Sequence, residues 1–378
     1  FQPRPNALRQ GLPPDGLRRN YRPALSGKIN ALFPGILCQK PPCDGGRKGS
    51  VCLIMKQISR TILGCGLAAA LALTACGRMD SGSGSMNGSS QSGGASSGAQ
   101  QNAAWRTGLG ILTEAAADDR AGKVNTIAAV VLLDAEGKVA DVMLDEVEVS
   151  VTADNTGKVT MPSDYRTKRQ KGDDYPLAAV SSLEKGWTEQ ADAFGRYLTG
   201  KTPDEVKKLE TDDDGKPKDA DLLSTCTIAV DGYRDAVVRA CENAKALDAA
   251  QGDHTALGTA VRNDTKELTA TDDKDVTAQV DITISALTLG TDGRVTSAVA
   301  DVVEPALTVG ADGTVSAPEM VKSKLEMGDS YGMRGASSLD KEWYEHSEGW
   351  CDYLKGKTLT EVAAIPSDGS DADLAALC

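Results

Sequence analysis

The chain has 378 residues, and its 54 acidic and 41 basic side chains leave a formal net charge of −13. From Cys76 onward the imbalance deepens to 52 acids against 30 bases, a field that argues against nucleic acid as a partner and against electrostatic docking on anionic lipid. Two histidines, scattered cysteines without CxxC spacing and the absence of an HExxH helix leave no motif for a metal centre or a dithiol redox pair.

Residues 1–54 are rich in Pro and Arg, show little periodic apolar pattern and match nothing downstream, so they are set apart from the fold and from the genuine start of the protein, which is read at Met55. MKQISR is a short basic segment, and the apolar run that follows is too short for a comfortable membrane span. Residues 55–76 therefore read as a secretory signal. Its end, Leu73-Thr74-Ala75-Cys76, resembles the lipobox of bacterial lipoproteins. That resemblance implies lipidation of Cys76 and a lipid anchor on the extracytoplasmic face of the cell membrane; an ordinary signal peptide meeting a cysteine is the plainer alternative. Residues 77–103 are Gly/Ser-rich, with too few apolar groups to offset ordering entropy, and read as a flexible tether.

The remainder is a duplication. Trp187 and Trp343, Tyr197 and Tyr353, and Gly200 and Gly356 all lie 156 residues apart, and the same offset joins Gly137 to Gly293, Pro162 to Pro318 and Lys168 to Lys324. Residues 104–250 form the first repeat and 251–378 the second, whose closing helix is missing from the sequence as given. A period this long points to two globular units rather than a solenoid.

Within a unit, a strand near Thr107 to Gly110 should precede two β-rich runs, Thr126 to Leu133 and Val139 to Val151, joined by the turn residues Asp134 to Lys138. A short strand near Lys158 to Met161 follows. Trp187, Ala191, Phe194 and Leu198 then fall on one face of a helix, with the aromatics as core. Thr202 and Glu205, like Thr358 and Glu361, have the spacing of a capping box opening a second short helix. Asp212 to Lys216 looks like the start of a calcium loop, but Leu223 holds the twelfth position, so a solvated turn is expected. A last helix should present Tyr233, Val237, Ala240, Cys241, Ala244 and Leu247, with Asp231 as its cap. His346 aligns with Gln190 and is assigned to a solvated helix face; Cys226 and Cys241 are read as free thiols ahead of a disulfide between them; Asp173 and Asp329 are read as turn residues ahead of a general acid-base pair. The fold class expected is α+β, two homologous domains each with a small antiparallel sheet packed against helices.

The hairpin turns, the GDxY segment, the W-x-x-Q helix, the GKT-x-x-EV helix and the D-x-x-S-T-x-T segment together resemble the FMN-binding domain family. That resemblance implies a flavin joined through a phosphodiester to a threonine by a separate flavin transferase. On this chain it maps to Thr227, with Ser224, Thr225 and the upstream Asp221 as the remaining motif positions. Thr225 stands where the family has glycine and Cys226 where it has alanine. By its residues alone, Ser224 to Thr227 also reads as a plain turn into a helix. The function implied is a membrane-anchored extracytoplasmic lipoprotein, FMN-binding-like, passing electrons from a membrane donor. The alternative is a non-catalytic surface lipoprotein that binds a small molecule, a wall component or a protein.

Overall fold

A computed structural model of the chain describes residues 104–366 and 370–377. The segment 1–54, the signal with Cys76, the tether to residue 103 and Cys378 lie outside the described residues. The first sheet has strands β1 (Arg106–Asp118), β2 (Ala121–Leu133), β3 (Val139–Ala153) and β4 (Val159–Thr160), antiparallel and in chain order. The expected hairpin closes as the turn chemistry requires. Asp134 Oδ1 accepts the N–H groups of Glu136 and Lys138, both at 2.9 Å, and Gly137 takes φ +80°.

The second sheet repeats this plan with one break. β5 (His254–Asn263) pairs with β6 (Val276–Leu289), and β6 pairs on its other side with β7 (Val295–Val303) and then β8 (Ala306–Val309), which carries β9 (Val315–Ser316). β7 and β8 together correspond to the single strand β3. Pro305 stands where β3 has Val149, and a residue without an N–H interrupts the ladder there.

Helices cover the outer face of each sheet. In the first repeat these are α1 (Lys168–Lys171), α2 (Trp187–Leu198), α3 (Pro203–Lys207), α4 (Ala220–Leu223) and α5 (Asp231–Glu242). In the second they are α6 (Lys324–Met327), α7 (Trp343–Leu354), α8 (Leu359–Ala363) and α9 (Ala372–Leu377). The capping boxes predicted at Thr202 and Thr358 are both formed. Helix α5 lies very close to β1. A Cβ on Gly108 would fall 1.9 Å from the Ala240 carbonyl oxygen, and one on Gly110 would fall 2.0 Å from that of Ala236, so both positions need glycine.

The inner faces of the two sheets pack on each other. Val124, Ala128 and Val130 of β2, with Val147, Val149 and Val151 of β3, share one core with Ile282, Ile284 and Ala286 of β6 and Leu307 and Val309 of β8. The outward residues of the same strands, Ala129, Val131 and Leu133 or Leu287 and Leu289, belong instead to the two sheet–helix cores. The order is thus helices, sheet, sheet, helices. Two seams join the sheets: β3 runs beside β5 and β1 beside β7. At one seam Asp141 Oδ2 accepts the Thr255 N–H at 2.7 Å and its hydroxyl at 2.9 Å; at the other, the Thr107 and Ser297 hydroxyls meet at 2.6 Å. These are the same two positions exchanged between repeats, so the seams are related by an approximate two-fold.

Several local expectations change. The described repeats share a core inside one compact unit rather than forming two separate globules. The last helix of the first repeat stops at Glu242, because Lys245 turns back to bridge Thr107 on the free edge of β1, at 2.9 and 3.0 Å. Val230, not Asp231, is its N-cap residue. His346 is 3% exposed and sits inside the sheet–helix layer, not on a solvated face.

Candidate functional site

A cleft of about 1000 Å³ opens in the first repeat between the outer face of β1–β3, the segment from Tyr175 to Trp187 and the start of α5. Its floor is a chain of buried polar groups. Trp187 Nε1 donates to the Tyr233 hydroxyl at 2.9 Å, Tyr233 donates in turn to Glu146 Oε2, and the Lys168 ammonium reaches the same oxygen at 2.7 Å. Glu148 lies 3.5 Å from Lys168 on the other side. Burial and the facing Glu146 carboxylate hold Tyr233 well above its ordinary pKa, so it remains a hydrogen-bond donor. Burial alone would lower Lys168, but Glu146 and Glu148 more than reverse this and keep it charged.

The sequence places these residues for simple reasons. Glu146 and Glu148 are successive outward positions of β3, and Lys168 is the first residue of α1, whose N-cap Thr167 accepts the Gln170 N–H. Asp145, the neighbour pointing the other way, is 1% exposed and ties α1 down through the Arg169 N–H at 3.2 Å. Asp301 holds α6 by the Leu325 N–H at 3.0 Å, 156 residues later. Burial pushes Asp145 up to about 6 and Asp301 up to about 7.

Of the residues singled out in the sequence, Thr227 lines the cleft. Its backbone N–H and hydroxyl both donate to Gln190 Oε1, at 2.8 and 3.1 Å, and Gln190 Nε2 donates to Ser181 Oγ at 3.0 Å. Asp221, Ser224 and Thr225 belong to α4 and its end, outside the cleft lining. The hydroxyls of Ser224 and Thr225 turn back to the carbonyls of Asp221 and Leu222, at 2.7 and 3.0 Å. Thr225 is not among the residues with positive φ, so its backbone there does not call for glycine. Gly195 to Thr202 has the spacing of a phosphate-binding loop, but Gly195 to Leu198 are the last turn of α2 and form no such loop.

Asn125 was not visible as a site residue. It lies opposite Glu114 in the β1–β2 register, both line the cleft, and Asn125 Oδ1 is buried without a hydrogen-bond partner. In the second repeat the corresponding pair is Arg262 and Asp281, joined as an ion pair. Position 146 is likewise matched by Val302, and Lys324 turns to Glu304 instead, at 2.6 Å. Gln190 is matched by His346, whose Nε2 meets Ser337 Oγ at 2.8 Å.

The residues present fit an FMN-like group. The volume suits a ligand of that size, Tyr175 and Leu177 supply apolar wall, Lys216 lies on the lining with the Thr227 hydroxyl, and an unpaired acceptor waits at Asn125. Among the described residues the thiols are buried and held protonated: burial pushes Cys226 to about 11 and Cys241 and Cys351 to about 12. A smaller cavity of about 620 Å³ lies at the β1–β7 seam, lined among others by Arg239, Glu326, Asp301 and Lys355. Arg239 already bridges it, donating to the Ile111 carbonyl at 2.9 Å and to Glu326 at 2.8 Å.

No family model matches the chain, and no solved structure matches it. A stretch of 41 residues is 44% identical to a chlorophenol reductase of Desulfitobacterium hafniense, covering 11% of this chain and 12% of that protein.

Proposed function

We propose that this chain is a lipid-anchored extracytoplasmic protein of two homologous FMN-binding-like repeats packed on a shared core, and that it carries a flavin in the cleft of its first repeat. The observation that carries this reading is that Thr227, the position implied by the family resemblance, lies on the same cleft lining as Lys216, Tyr175 and the Trp187–Tyr233–Glu146–Lys168 chain. When bound, the flavin supplies the capacity to accept and release electrons. The protein's own part is to position and shield. Gln190 orients the Thr227 hydroxyl, Lys216 offers a cation near a phosphate, and Tyr233 stays protonated on the floor. Cys76 as the lipidated residue and the Gly/Ser tether would let the domains reach between a membrane electron donor and an outside acceptor, with a flavin transferase as the modifying partner. The short match to a reductase is in keeping with redox surroundings but covers too little of either protein to assign a substrate.

The test is the intact mass and visible absorbance of the denatured chain, produced together with a flavin transferase, beside its Thr227→Val variant. A mass increase of one FMN with flavin colour, absent from the variant, is the expected result. A colourless chain of unmodified mass removes the covalent attachment. If free riboflavin then fails to bind as well, the non-catalytic surface module remains, with the exposed Val180 and Leu223 at the cleft as its contact surface.

A further inference from the structure

Glu114 and Asn125 of the first repeat face each other across β1 and β2, and the same two places in the second repeat hold Arg262 and Asp281. There the two are joined, although Arg262 Nε stays buried without a hydrogen-bond partner. The Arg262 guanidinium donates to Asp281 Oδ2 and lies 2.8 Å from Asp264, while Gln279 Nε2 donates to Asp281 Oδ1 at 2.8 Å. Every acceptor at that place has a donor from the chain itself. In the first repeat the acceptors remain and the donor does not. Asn125 Oδ1 is buried and unpartnered, and Glu114 makes no ion pair among the described residues. Leaving a buried carbonyl oxygen unpaired is unfavourable enough that such atoms ordinarily have a partner.

Resting on the flavin reading above, we propose that Asn125 is the specificity residue of the cleft, receiving a ring N–H flanked by carbonyls, and that the second repeat has closed the equivalent place with its own Arg262. The carboxamide matches an imide edge in both senses, because its oxygen accepts from the N–H while its amino group donates to an adjacent carbonyl. Two other polar groups of the lining are committed elsewhere: Glu146 is engaged by Lys168 and Tyr233, and the Thr227 hydroxyl donates to Gln190. An N–H edge is thus recognised at Asn125, while Thr227 and Lys216 serve the phosphate side of the ligand.

The experiment is a tryptophan-fluorescence titration of the full chain with riboflavin and with N3-methylriboflavin, which lacks that N–H. The wild type should bind riboflavin about tenfold more tightly or better, and Asn125→Leu should bind the two alike. Equal binding of both ligands by the wild type, or an undiminished preference in Asn125→Leu, overturns the assignment while leaving a flavin in the cleft. Failure of riboflavin to bind a chain whose mass shows no attached flavin overturns the assignment at Asn125, and the flavin reading falls with it only if the mass test with the transferase has failed too. Should Asn125→Leu not fold, the ratio measured on the wild type decides alone.

Discussion

The helix-facing sides of the two sheets share a backbone plan and differ in how they spend their polar groups. In the first repeat Lys168 stands between two carboxylates, Glu146 and Glu148, and Tyr233 and Trp187 extend the chain into an open cleft. In the second, Val302 removes one of those carboxylates, and Lys324, fully buried, keeps Glu304, with Tyr331 and Trp343 rings at 4.7 and 5.7 Å from its ammonium. Arg262 and Asp281 likewise form an ion pair, with Arg262 Nε left buried and unpartnered, where Glu114 and Asn125 form none. A duplicated fold can thus retain its packing in both copies while one is closed by internal pairing and the other left open.

The largest expected contrast is in those ammonium groups. Glu304→Ala removes the carboxylate from a cation with no exposure and should destabilise the protein by about 4 kcal/mol, whereas Glu146→Ala leaves Glu148 in place and should cost about half as much. Urea midpoints of the two variants measure this, and equal losses would erase the distinction between the repeats.

The second contrast is in pH. A carboxyl whose folded pKa is raised holds its proton more tightly when folded, so its contribution is complete below the unfolded value and lost as pH rises through the folded one. Stability carried by Asp145 should therefore fall away as pH climbs from about 4 through about 6, and that carried by Asp301 through about 7. The larger share, on the order of 4 kcal/mol, belongs to Asp301. Denaturation across this range should show Asp301→Asn flattening the pH profile more than Asp145→Asn does.

The smallest contrast concerns the seams. Asp141 receives two hydrogen bonds from Thr255, one carboxylate serving both, while Thr107 and Ser297 share a single bond between hydroxyls. Thr255→Val should cost about 2 kcal/mol and Thr107→Val about 1 kcal/mol. Each loss should appear as a shift of one cooperative transition, because the repeats share a core; two separate transitions would refute that packing.

The repeat register, the hairpin turns and the capping boxes were legible because each depends on near neighbours in sequence. Asp134 with Gly137, and Thr202 with Glu205, need nothing distant to act. The shared core was harder to see, though it left a trace. Ala128 to Leu133 are buried without interruption, the pattern of a strand covered on both faces, whereas the expected sheet packed only against helices. The same covering hid the site. Glu146 and Asn125 occupy polar positions in alternating strands, which reads as a solvent face, yet Glu146 is buried under the helix layer and Asn125 lines the cleft beside it. His346 was misplaced for the related reason that a titratable side chain on a helix suggests water, and only the packing against Ser337 shows otherwise. Thr227 was found through the family resemblance, and nothing in its local pattern separates it from Ser224 and Thr225, whose hydroxyls turn back onto their own helix.

The central claim is that only the first repeat is open to a flavin-type ligand. A crystal structure of the full chain grown with riboflavin tests it most directly. The account predicts one ligand per chain, lying between Tyr175 and Asn125 with its N–H edge on the Asn125 carboxamide. Density beside Arg262 and Trp343, or in the seam cavity near Arg239, would contradict it.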